Sequence, residues 1–172
     1  MAVVVEQWKV AVAASMGLGF ADHIATAATE HQVPYAWACA LIEQESNGRN
    51  VWGHDVGGTF SGCPLIVTRG AFEVFYWLIS NGATSNGVGP AQITWRGYFD
   101  QMLREGRHPW DPADNIDFGL RLLSDTFLRV GSWPTAAGHY NGGTKPNMTY
   151  AADVTAKRQA WWQRFAASAP AG

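Results

Sequence analysis

The run from Pro34 to Gly48 leaves this 172-residue chain the least freedom. Residues Tyr35 to Ile42 are nearly all apolar, Pro34 can occupy a first helical turn, and Gly48 supplies a C-terminal stop. A helix that is apolar on every side has to be enclosed by other elements, so the expected architecture is helices packed around this one. Its last turn carries Glu43 and Glu45 to the edge of the core. There, partial burial and the negative end of the helix dipole both disfavour ionisation. A carboxyl that holds its proton near neutral pH suits general acid catalysis. The two glutamates are about 200° apart around a helix, so only one of them can face a given cleft.

Apolar patterning around this run predicts further helices. Spacing over 3–31 gives two, with Gly17 and Gly19 as a hinge between them. Thr68 or Arg69 opens another that ends at Asn81-Gly82, and Val74 and Trp77 widen its apolar face enough to predict that it is well buried. Trp95–Glu105 reads as a helix stopped by Gly106. Asp111 caps one that runs through Phe127, with Asp114 and Asp117 as first-turn charges. A small-residue helix follows Trp133-Pro134, and Asn147-Met148-Thr149-Tyr150 leads the last one. Between Gly48 and Thr68 glycine and turn-formers dominate, which predicts a loop with at most a short hairpin between Gly53 and Pro64. One domain over 1–165 is expected, with 166–172 a linker or tail, so that the chain reads as a module of a larger protein.

Composition narrows the function classes. A net charge of −2 with 15% charged residues gives no electrostatic surface for nucleic acid. No run approaches the ~20 apolar residues of a membrane span, and the N-terminus lacks the basic segment of a secretion signal. Gly17-x-Gly19 has no third glycine at dinucleotide-site spacing. His23, His31, His54, His108 and His139 are scattered without metal-ligand spacing, so neither a metal nor a cofactor is expected. Cys39 and Cys63 read as an unpaired core thiol and an unpaired loop thiol. Nine Trp are more than one core needs, and aromatic faces also stack on sugar rings.

Three further stretches join the first. In Gly87-Val88-Gly89-Pro90-Ala91-Gln92-Ile93-Thr94, the glycines let backbone approach a ligand and Gln92 offers an amide suited to sugar hydroxyls. His139-Tyr140-Asn141-Gly142-Gly143 ends a helix in an aromatic and an amide, and Thr149-Tyr150 opens the last helix. With Ala40-Leu41-Ile42-Glu43-Gln44-Glu45-Ser46, these four motifs, in this order over residues 38 to 162, resemble the soluble lytic transglycosylases and goose-type lysozymes. Ala91 stands where that family has Met, His139 where Ala is common, and Ala151 where Val is common.

The resemblance implies a mainly α (α+β lysozyme-like) fold around a saccharide cleft, with residues 1–33 outside the match. It makes Glu45, not Glu43, the catalytic acid, and assigns Ser46, Gln92, Tyr140, Asn141 and Tyr150 to substrate binding. Asp55, after Trp52-Gly53-His54, is the candidate second carboxylate that a hydrolase would need. A further goose-type Asp is replaced by Thr94, which favours transglycosylation, where a single Glu suffices. The implied substrate is the MurNAc–GlcNAc β-1,4 bond of peptidoglycan glycan strands, cut by a monomer with no nucleic-acid or membrane partner. The long gap between Ser46 and Gly87 resembles wall-cutting endolysin modules of phages that infect actinobacteria. Such a module stays in the host cytoplasm until it is released to the wall. The alternatives are a two-carboxylate lysozyme, a chitinase-like glycosidase, and an inactive glycan-binding module.

Overall fold

The computed structural model describes residues 4–170. Its helices are α1 (Gln7–Ser15), α2 (Ala21–Glu30), α3 (Tyr35–Glu45), α4 (Arg69–Ser80), α5 (Arg96–Arg104), α6 (Pro112–Val130), α7 (Trp133–Gly142) and α8 (Met148–Ala167). Helices hold 60% of the residues and strands 3%, so the core is built by helix packing, as the mainly α lysozyme-like reading requires. Strand pairing is confined to single antiparallel bridges, Val51 with Ile66, Trp52 with Val88 and Val88 with Ile93. Residues 53–64 form turns, so the hairpin considered there is absent and the bridges lie on either side of it.

Helix α3 is the enclosed element. Tyr35 and Trp37 to Ile42 are buried, with α2 on one side and α8 on the other. Helix α7 packs between α8 and α6, which closes the layer. α3 ends through two successive left-handed residues, Asn47 (φ 57°) and Gly48 (φ 69°). A side chain at Gly48 would strike the Gly19 carbonyl, and one at Gly19 would strike that of Gly48. The hinge glycine between α1 and α2 therefore serves as the seat on which the exit of the core helix rests.

The expected cap at Asp111 is formed, and side chains cap the starts of α4 and α8 as well. Thr68 accepts from the Ala71 N–H, Asp111 from those of Ala113 and Asp114, and Asn147 from that of Tyr150. Two expectations need correction. Val74 is 55% and Trp77 64% exposed, so α4 is amphipathic and buries only the face carrying Phe72, Phe75 and Ile79. That face joins Trp52, Phe60, Phe99 and Trp110 in an aromatic cluster beneath the 50s loop, and this cluster needs no further area from α4. The last helix runs to Ala167, past the expected tail boundary at 166, because Ala166 and Ala167 are good helix formers. Cys39 is buried, Cys63 is partly exposed, and both are free.

Candidate active site

The C-terminal turn of α3 opens into a cleft of about 1050 Å³. Glu45, His54, Asp55, Gly87, Gln92, Trp95, Tyr98 and His139 to Asn141 are among the residues that line it. Glu45 is largely enclosed, and its Oε1 accepts a hydrogen bond from the Tyr150 hydroxyl on α8. Burial, reinforced by the negative charge of Asp55, pushes the Glu45 carboxyl up to about 7, and the Tyr150 hydrogen bond opposes the rise. At neutral pH the group is therefore shared between acid and carboxylate, as a residue must be that first gives a proton and then takes one. Burial and the neighbouring Glu45 charge raise the Tyr150 hydroxyl well above the usual range, so it stays a donor.

Glu43, two residues earlier, points to the other side of the helix. Lys157 Nζ donates to its Oε1 at 3.1 Å and the Trp161 indole to its Oε2 at 2.6 Å. It joins α3 to α8 and does not line the cleft.

Asp55 is fixed by the Gly87 N–H, which donates to its Oδ2 at 2.7 Å. The loop carrying it is held from beneath by fully buried Asn86, whose amide donates to the Gly53 carbonyl and accepts from the Phe60 N–H. A side chain at Gly53 would meet both the Asp55 carboxylate and the Gln92 amide, so glycine is needed where the two converge.

The remaining candidates divide between lining and support. Tyr140 and Asn141 line the cleft; the Tyr140 hydroxyl donates to the Ala91 carbonyl at 2.6 Å, and Asn141 accepts from Asn147. Gln92 also lines it, but both its amide donors are taken, by the Val51 and Gly89 carbonyls, so toward solvent it can only accept. It sits at φ 50°, a left-handed conformation held by those bonds. Ser46 is buried, donates to the Pro90 carbonyl and accepts from the Arg49 N–H. It ties the end of α3 to the 87–92 loop and lies outside the cleft lining. The close backbone approach at Gly89 is made to the buried Asn115 side chain, not to a ligand space. Trp95, Tyr98, Leu122, Thr126 and Arg129 also line the cleft and are not picked out by the sequence motifs. For Trp95 the available signal was an aromatic directly after Gln92-Ile93-Thr94 with a glycine two residues on.

Glu30, His31 and Asp117 come close enough to share a cation. However, His31 Nε2 already bonds Asp117 at 2.7 Å and the Arg107 guanidinium pairs with the other Asp117 oxygen, so the cluster has its own counter-charge. Asp117 is thus an ion-pair residue between α6 and its surroundings and not only a first-turn charge.

A mainly helical fold that brings a buried carboxyl, raised to about 7, to an open cleft is an arrangement suited to general acid catalysis. Residues 81–162 match the model of the transglycosylase SLT domain, a family of the lysozyme-like superfamily. Members of that family are lytic transglycosylases that cleave glycosidic bonds in peptidoglycan. Gln92, Tyr140, Asn141 and Tyr150 fall within the matched stretch, and Glu45 and Asp55 precede it. No curated protein and no solved structure matches the chain.

Proposed function

We propose that the chain cuts the β-1,4 bond between N-acetylmuramic acid and N-acetylglucosamine as a lytic transglycosylase, with Glu45 as both acid and base. The observation that carries this reading is a cleft carboxyl at about 7 that has a neutral donor, Tyr150, as its direct partner and no cationic one. Glu45 gives its proton to the glycosidic oxygen as that bond breaks. The carboxylate left behind accepts the proton of the muramyl C6 hydroxyl as its oxygen bonds C1, closing a 1,6-anhydro ring. No water is consumed, and Glu45 ends protonated as it began. Tyr150 holds the carboxylate in one orientation through both steps. Asp55 supplies negative potential toward the oxocarbenium-like centre and keeps Glu45 protonated. Ser46 and Gln92 act through the loop they hold, and Tyr140 and Asn141 bound the sugar path.

The reading extends to a wall-lysing module of a phage endolysin acting as a monomer, held in the host cytoplasm until release. This part rests on the long connection between residues 46 and 87. The second reading, a hydrolase using Glu45 and Asp55, is favoured by one observation: the two carboxylates line the same cleft closely enough for Asp55 to act on Glu45 electrostatically.

Mass spectrometry of soluble products from purified peptidoglycan decides between them. Transglycosylation predicts muramyl ends one water lighter than hydrolysed ones. Reducing muramyl ends would transfer water activation to Asp55, and intact strands with folded protein would remove Glu45 from catalysis.

A further inference from the structure

Three tryptophans are largely exposed, Trp77, Trp95 and Trp162, and of these only Trp95 lines the cleft. Its indole is 64% exposed yet held in one place. Tyr98, three residues on, meets it edge to face with centroids 4.8 Å apart and planes at 89°. The backbone before it is fixed too, since the Ser85 hydroxyl donates to the Thr94 carbonyl at 2.6 Å and the Thr94 hydroxyl to that of Gln92.

Gly97 shows what the placement requires. A Cβ there would lie 2.5, 2.6 and 2.7 Å from three consecutive atoms of the Trp95 benzo ring. An edge-on approach would put the outer two of the three much farther away than the middle one. Near-equal distances place the Gly97 Cα beneath the face of the ring. The indole therefore lies flat over the first turn of α5, with its opposite face turned outward. Gly97 lies inside α5 and its backbone needs no left-handed conformation, so alanine would be the better helix former there. The space that glycine leaves is filled by the indole.

We propose that Trp95, seated on Gly97, is a stacking platform for one pyranose ring of the glycan strand. It would take the apolar face of an N-acetylhexosamine in the same cleft as Glu45. The chemistry fits: a rigid indole face offers apolar area and ring polarisation to the axial C–H face of a sugar. Among the described residues its N–H has no hydrogen-bond acceptor, and the exposed indole can offer it to a hydroxyl or an acetamido oxygen. A platform of this kind acts on binding and register, so its loss raises KM more than it lowers kcat. The inference rests on the glycan-cleaving reading of the cleft.

The test is calorimetric binding of a β-1,4-linked N-acetylglucosamine oligomer to chain carrying Glu45→Gln, which prevents turnover. Trp95→Ala should weaken binding about tenfold and Trp95→Phe about threefold. Gly97→Ala, which keeps the indole but displaces it, should weaken binding severalfold while leaving the thermal midpoint unchanged or higher. Glycan should also quench or shift a fluorescence component that is absent in Trp95→Phe. Unchanged affinity in Trp95→Ala, or in Gly97→Ala, overturns the platform. Failure of the catalytic reading has its own signature, intact strands in the product assay. If Trp95-dependent oligomer binding persists in that case, the subsite stands without the chemistry.

Discussion

Glu43 and Glu45 stand two residues apart on the last turn of one helix, and the protein makes opposite use of them. Glu43 receives an ammonium and an indole N–H from α8 and ties the two helices together. Glu45 receives a neutral phenol from the same helix, shares the cleft with Asp55 and is driven toward its protonated form. Burial is what drives Glu45 toward its acid form, with Asp55 adding to the effect and the Tyr150 hydroxyl opposing it, whereas Glu43 is occupied by a cation and an indole N–H. Helix α8 supplies both sets of partners and so determines which glutamate is structural and which is labile.

The largest effect should come from exchanging charges at the two sites. Glu45→Gln should lower turnover by about three orders of magnitude, whereas Glu43→Gln should keep kcat within about threefold and lose roughly 1–3 kcal/mol of stability. Turbidity clearance of cell walls and urea unfolding read the two effects separately. Comparable losses of turnover in both variants would end the distinction.

The next effect concerns pH. With Glu45 at about 7, the rate should fall as pH rises through that value, because the acid form is lost. Stability follows the same group. Its folded value lies above that of an ordinary glutamate, so between about pH 4.5 and 7 the folded state binds more protons than the unfolded one and stability declines as pH rises. Glu45→Gln should therefore be more stable than the parent at pH 8, by about 1–3 kcal/mol, and indistinguishable from it at pH 4. Thermal melts at the two pH values check this.

A smaller effect distinguishes the neighbours of Glu45. Tyr150→Phe removes the one contact that lowers the Glu45 pKa and should move the descending limb of the pH–rate profile upward, with about tenfold lower kcat. Asp55→Asn removes a raising influence and should move that limb downward while cleavage persists. Abolished cleavage in Asp55→Asn would favour the hydrolase. Smallest of all, Lys157→Met should cost about 1 kcal/mol of stability and leave the pH profile of cleavage in place.

Much of this was legible in the sequence where one local rule dominates. The apolar run of α3, the cap at Asp111, the helix starts near Thr68 and Asn147, and the stop at Gly48 each depend on a few adjacent residues, and they appear in the structure where they were expected. The order of the four motifs resembles the lytic transglycosylases, and three of the four motifs fall in the stretch 81–162 that matches the transglycosylase SLT domain. What stayed hidden depends on residues distant in sequence. Val74 and Trp77 look buried by pattern, but the aromatic cluster beside them is already complete. Gln92 looks like a free amide, but Val51 and Gly89 take both its donors. Ser46, beside the acid, faces Pro90 and not the cleft. Gly97 could not be read as the seat of an indole, because only the turn from Thr94 into α5 brings the ring over it.

The cleft also has an order of completion. Glu45 and the phenol that holds it are 105 residues apart, and Lys157 and Trp161 come later still. During synthesis the acid therefore leaves the ribosome long before the helix that dries and orients it. A partial chain ending before residue 148 would expose Glu45 to water, and its carboxyl would titrate as an ordinary glutamate, already ionised at neutral pH. Lytic competence would then appear only once α8 docks, which keeps a wall-cutting activity silent in unfinished chains.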